Sequence, residues 1–147
     1  MANTNFGGNR WSDTLLFAPS VSSQLGLIYS GTIGQSYNIQ GKGYTQVVGD
    51  PVCKMGYRTH ETCGKITRTN VDKVHPDSYY GTIWSQNETD MTVNKGDSGA
   101  PVHKKLGFPY VQLYGILWLK MAAGDTPGPG VYSPIVNVER DQGTLVT

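Results

Sequence analysis

This 147-residue sequence has no long apolar run, a net charge close to zero and a first segment that does not resemble an export signal. No apolar stretch approaches the roughly 20 residues that cross a bilayer, and the first ten residues are polar and glycine-rich, unlike a signal peptide. We therefore expect no membrane association. Twelve basic and eleven acidic residues leave a net charge of +1, and no basic stripe alternates with aromatics, so we expect no nucleic-acid partner.

Helical periodicity is also scarce, and it holds only in the tail over 136–141. The 19 glycines, 8 prolines and 9 tyrosines favour short strands joined by turns. Apolar segments bounded by turn residues predict strands at 25–29, 36–39, 44–48, 64–69, 79–84, 101–103, 111–119 and 130–135. This regular spacing predicts an all-β sandwich or barrel. The length predicts one domain over 13–147, preceded by an N-terminal arm over 1–12.

The chain has only two cysteines, Cys53 and Cys63, with His60 between them. Their short spacing suits either a disulfide or part of a metal site. Zinc sites of the familiar kinds require a second ligand pair at a defined distance, and none follows here. The spacing therefore favours a disulfide that closes a hairpin, which indicates an oxidising compartment and a secreted or extracellular protein. We expect no metal and no cofactor.

The most informative segment runs from Asn94 to Val102 and contains Gly96-Asp97-Ser98-Gly99. A serine nucleophile in an acyl-transfer enzyme lies on a tight turn whose backbone N–H groups converge on the developing oxyanion. Flanking glycines permit such a turn because they tolerate positive φ. A glycine-rich turn with aspartate and serine is also ordinary loop chemistry. Within such a turn, Asp97 can fix the backbone by pairing with a buried cation.

The run resembles the nucleophile loop of chymotrypsin-type serine peptidases, with Ala100 in place of a glycine. Two further segments resemble the bacterial branch that includes streptogrisins and α-lytic protease. Residues 52–66 are similar to its disulfide-closed hairpin, and residues 130–134 are similar to the strand that closes its specificity pocket. The resemblance implies an antiparallel Greek-key barrel like the C-terminal half of the two-barrel fold.

The resemblance also implies roles for single residues. Ser98 would be the nucleophile, with the N–H groups of Gly96 and Ser98 as the oxyanion hole. Asp13 would orient a histidine base, although an aspartate at a strand end is also a common solvated residue. Lys54, beside the first hairpin cysteine, would pair with Asp97, and a solvated surface lysine is an equal alternative.

A histidine base is the residue that the sequence does not supply in the family position, because no histidine precedes Asp13. The three histidines are His60 in the cysteine loop, His75 beside a proline, and His103 on the strand after the nucleophile. None of the three occupies the family position. The pocket edge also departs from the family, because Trp118 follows Gly115-Ile116-Leu117 where a small serine is common.

Two functional hypotheses follow. In the first, the chain is part of a serine endopeptidase that forms an acyl-enzyme on Ser98, with the histidine supplied by another chain or by an upstream segment of a precursor. Its partners would be a peptide or protein substrate, and a second chain or a second copy of itself covering the exposed barrel face. In the second, the barrel is a noncatalytic structural or protein-binding module derived from such an enzyme.

Overall fold

The protein is described by a computed structural model that covers residues 10–14, 26–31 and 34–145. Its strands are β1 (Leu27–Ser30), β2 (Gln35–Lys42), β3 (Pro51–Gly56), β4 (His60–Val74), β5 (Thr82–Val93), β6 (Pro101–Gly107), β7 (Tyr110–Lys120) and β8 (Gly128–Pro134). A 3₁₀ turn (Ser78–Tyr80) precedes β5, and helix α1 (Ile135–Gln142) follows β8. No helix in these ranges is long and apolar enough to cross a membrane.

Six strands close into an antiparallel barrel in the order β3-β4-β5-β8-β7-β6, because β6 also pairs with β3 and β7 with β8. After the meander β3-β4-β5, the chain crosses over to place β6 beside β3, which is a Greek-key connection. The hairpin β1–β2 is added outside the barrel, where β2 runs parallel to β7. The predicted all-β Greek-key barrel is confirmed.

The barrel interior is filled by alternate residues of all six strands, as expected for a closed sheet. The buried core consists of Val52, Ile66, Met91, Val93, Ala100, Val102, Tyr114, Leu117 and Tyr132. The hydroxyl of Tyr132 lies 2.8 Å from Gln46 Oε1, and Asn87 Nδ2 donates to the same hydroxyl. Burial raises the pKa of Tyr132, so the phenol stays protonated.

Two sequence predictions differ from the structure. The segment 44–48 is not a strand, because the Gln46 amide donates to the carbonyls of Gly43 and Tyr114 and holds an irregular loop. Val47 and Val48 face solvent and have no partner strand. The predicted strand at 79–84 begins only at Thr82, after the 3₁₀ turn. The helix predicted over 136–141 is present as α1.

The described part of the arm lies against the barrel. The backbone of Arg10 forms a parallel bridge with Ile83. Asp141 Oδ2, on α1, accepts hydrogen bonds from the N–H groups of Trp11 (3.1 Å) and Ser12 (2.8 Å). The Asp13 N–H donates to the Ser133 hydroxyl at 3.2 Å, which places Asp13 beside β8.

Candidate active site

Ser98 is exposed on the tight turn between β5 and β6. Gly96 and Gly99, on either side of it, have φ values of +95° and +88°, which side chains with a Cβ rarely adopt. The Asp97 N–H donates to the carbonyl of Asn94 at 3.1 Å and closes the turn. The glycines around the serine are therefore a conformational requirement of this loop.

Asp97 anchors the turn from inside the protein. Its Oδ1 accepts from the N–H groups of Arg58 (2.8 Å) and Thr59 (2.9 Å), and its Oδ2 accepts from the Thr59 hydroxyl (2.5 Å) and the Asn94 N–H (2.9 Å). Lys54 Nζ lies 3.8 Å from Oδ2. Burial by itself raises the pKa of Asp97, but these hydrogen bonds and the Lys54 charge outweigh it, and the pKa is lowered.

Lys54 is completely buried rather than solvated. Its ammonium group donates to the Thr59 hydroxyl (2.6 Å) and to the His60 carbonyl (2.7 Å) in addition to facing Asp97. Burial lowers the pKa of Lys54, and the carboxylate of Asp97 opposes that effect. A Cβ on Gly56 would collide with the Asp97 carboxylate, so this hairpin position also needs glycine.

The disulfide predicted between Cys53 and Cys63 is confirmed and joins β3 to β4. Among the described residues, these two cysteines and Glu61 are the group whose ligand atoms lie close enough together for a metal ion. The two sulfur atoms are bonded to each other and offer no thiolate for a metal. The bridge instead closes the hairpin whose turn contacts Asp97.

A cavity of about 240 Å³ opens beside Ser98. Its apolar lining includes Val93, Leu117, Trp118, Leu119 and Ala122. Its polar lining is Asn94, Lys95, Ser98 and Lys120. The Ser98 hydroxyl points to the carbonyl oxygen of Trp118 at 3.5 Å, so it faces the backbone of β7 rather than a ring nitrogen.

Asp13 belongs to a partly exposed cluster that reaches Trp118 through His75. Its Oδ1 accepts from Arg10 Nη2 at 2.7 Å, and its Oδ2 lies 3.3 Å from His75 Nε2. The His75 ring stacks on the Trp118 indole with centroids 5.6 Å apart. Trp118 is therefore linked to Asp13 through the His75 ring.

Both ring nitrogens of His75 are engaged. The Asp77 N–H donates to Nδ1 at 2.9 Å, so Nδ1 carries no proton, and the Nε2 proton faces Asp13. In this arrangement His75 has no free lone pair for the Ser98 proton. The contact between His75 and Asp13 was not predicted from the sequence, where a histidine beside a proline indicates only a turn.

A buried polar network connects the Trp118 indole to the backbone of Asp13. Gln86 Oε1 accepts from the Trp118 indole N–H (2.8 Å) and from the Ser133 hydroxyl (2.7 Å). The Ser133 oxygen in turn accepts from the Asp13 backbone N–H at 3.2 Å. No sequence signal identified Gln86, because a single glutamine within a strand has no characteristic spacing.

The other two histidines lie on the hairpin and on β6. His60 begins β4, and its carbonyl rather than its ring serves the Lys54 site. His103 is completely buried beside the ring of Tyr37 at 5.5 Å. Burial lowers the pKa of His103 to about 4, so the imidazole is neutral at physiological pH.

The trypsin family matches residues 30–140. The chain belongs to the trypsin family. The membership predicted from the nucleophile loop is thus confirmed, and the family match contains Ser98 and the disulfide hairpin. The comparison with curated protein sequences found no significant match.

Solved structures of serine proteases share the trypsin-family fold of this chain. Cellulomonas bogoriensis chymotrypsin is 24% identical with a TM-score of 0.66, and the aligned region covers 84% of this chain and 63% of that chain. Nocardiopsis protease is 22% identical with a TM-score of 0.66, with coverage of 82% and 60%. A glutamic-acid-specific serine protease is 23% identical with a TM-score of 0.70, with coverage of 88% and 64%. The chain therefore spans less than two thirds of each.

Proposed function

We propose that this chain provides the nucleophile and the orienting aspartate of a serine endopeptidase, with the histidine base supplied by another chain or by an upstream segment of a precursor. The observation that carries the proposal is Ser98, exposed beside a cavity on a turn fixed by Asp97 and Lys54. A turn held by a buried ion pair presents its serine in one geometry, which is what nucleophilic catalysis requires.

The backbone around Ser98 also supports the proposal of an oxyanion hole beside the serine. In the part of the chain that the structure describes, neither the Gly96 N–H nor the Ser98 N–H donates to a protein acceptor. Two free N–H groups beside a nucleophile can stabilise the oxyanion of a tetrahedral intermediate. We assign the oxyanion hole to these two groups. Asp13 keeps a partly exposed carboxylate and can orient an incoming imidazole if it releases His75.

The hydrolysis would need no metal or cofactor. The Ser98 oxygen attacks the substrate carbonyl while the incoming histidine accepts its proton and passes it to the leaving amine. Water then hydrolyses the acyl-enzyme by the reverse proton path. The disulfide supports the further proposal that the protein acts outside the cell.

A fluorophosphonate probe tests the nucleophile, with the adduct located by peptide mass spectrometry. Because the described part of the chain provides no base beside Ser98, we expect only slow labelling at Ser98, none in Ser98→Ala, and the same slow labelling in Ser36→Ala as a matched control. Added imidazole should accelerate the labelling several-fold, because it supplies the base. Absence of a Ser98 adduct, with and without imidazole, would refute the proposal.

A noncatalytic binding module is the second candidate. The observation that favours it is the apolar surface on the loop after β2, where Val47 and Val48 are 54% and 60% exposed. Such a surface suits contact with a second chain or a second copy of this one. An unreactive Ser98 combined with concentration-dependent sedimentation would support this candidate over the peptidase.

A further inference from the structure

The cavity beside Ser98 has a mainly apolar lining, and the charged residues that line it are all positive. Lys95 and Lys120 both line it, while none of the described lining residues carries a carboxylate. Leu117 and Leu119 form part of the lining and reduce the solvent that screens these charges. The cavity therefore attracts anions and repels cations.

Lys120 is held in place rather than free to move into solvent. Its ammonium group donates to the backbone carbonyls of Gly124 at 2.6 Å and Thr126 at 2.7 Å. An ammonium group has three N–H donors, so two bonds fix its position and one donor remains for a ligand. A positioned donor loses little conformational freedom when it binds an anion.

Lys95 is placed by the turn that also carries the nucleophile. Its backbone N–H donates to the Asn94 side-chain oxygen at 2.8 Å, and the Asn94 amide donates to the Asp125 carbonyl at 3.1 Å. These bonds tie the nucleophile turn to the loop after Lys120. Lys95 therefore borders the cavity from the turn before β6 and Lys120 from the end of β7, and the loop after β7 is bonded to that turn.

We propose that this cavity selects an acidic side chain, glutamate or aspartate, of the peptide bound next to Ser98. The inference rests on the proposed peptidase function and adds the substrate class to it. A carboxylate in the cavity accepts the remaining Lys120 donor and is attracted by Lys95, whereas a basic side chain meets two like charges. Glutamine, the uncharged isostere of glutamate, can still accept from Lys120 through its amide oxygen, but it forms a neutral hydrogen bond and gains no attraction from the two charges.

Two peptidyl phosphonate probes that differ only in glutamate or glutamine at the residue before the phosphonate test the proposal. We expect Ser98 to react about tenfold faster with the glutamate probe, the size of one charge-assisted hydrogen bond at a partly exposed site. Lys120→Gln and Lys95→Gln should each reduce this ratio toward one, and Lys65→Gln, an exposed lysine outside the cavity, should leave it unchanged. Raising the salt concentration should also reduce the ratio.

Failure of the nucleophile and failure of the specificity are distinguishable. The unspecific fluorophosphonate reports the nucleophile alone. If it does not label Ser98, the acidic preference is measured by NMR titration of Ser98→Ala with acetylated peptide amides ending in glutamate or glutamine. Tighter binding of the glutamate peptide that is lost in Lys120→Gln supports the inference. Equal rates and equal binding for the two peptides, or a preference that survives both lysine substitutions, would overturn it.

Discussion

Two aspartates of the candidate site differ in how the fold holds them. Asp97 is buried, accepts four hydrogen bonds and faces a buried lysine. The Asp13 side chain is 30% exposed and contacts Arg10 and His75. Both ring nitrogens of His75 are already hydrogen-bonded, so neither can accept the Ser98 proton. The Ser98 turn is thus fixed by buried contacts within the barrel, whereas Asp13 is held by contacts that leave its carboxylate partly exposed.

Asp97→Asn should produce the largest effect. It leaves the Lys54 ammonium buried without its counter-charge, and the new amide N–H₂ meets groups that are themselves donors. Breaking a buried ion pair in this way costs about 3–5 kcal/mol of unfolding free energy, measurable by urea denaturation. Asp90→Asn, an exposed aspartate that accepts the Lys65 N–H, is the matched control and should lose less than about 1 kcal/mol. Equal losses in the two variants would contradict a special role for Asp97.

Acid should reveal the same aspartate with a smaller effect. The folded-state pKa of Asp97 is lowered, so its contribution is fully present above the ordinary aspartate pKa of about 3.9 and is lost as pH falls through the lower folded-state pKa. Between pH 5 and pH 2 the unmodified protein should therefore lose more unfolding free energy than Asp97→Asn does. Asp50, Glu61 and Glu139, whose pKa values are also lowered, titrate in both proteins and cancel in the comparison. Parallel pH curves would argue that the Asp97 charge adds no stability.

Asp13→Asn should have the smallest effect, below about 1 kcal/mol, because the Asp13 carboxylate is partly exposed and an asparagine oxygen can still accept from the guanidinium. Urea denaturation under the same conditions provides the measurement. A loss as large as that of Asp97→Asn would show that the arm is part of the stable core, and the contrast between the two aspartates would fail.

The parts of the site that follow from local chemistry could be predicted from the sequence. The glycines around Ser98 and the cysteine pair are short-range patterns, and both lie where the sequence placed them. The Gln86 network could not be predicted, because it joins β5, β7, β8 and the arm, and no sequence spacing encodes such a contact. The sequence predicts a strand at 44–48 because its apolar residues have a high strand propensity. The segment is an exposed loop because no strand of the barrel pairs with it.

The contact between the hairpin turn and Asp97 joins residues 38 positions apart in the sequence, across the Greek-key crossover. Contacts of such separation require loop closure and therefore form late compared with local hairpins. The serine turn consequently takes its final shape only when β6 has docked beside β3. Before that step the contacts that fix Asp97 are not made, so we expect the chemical reactivity of the Ser98 hydroxyl to report the time at which the barrel closes.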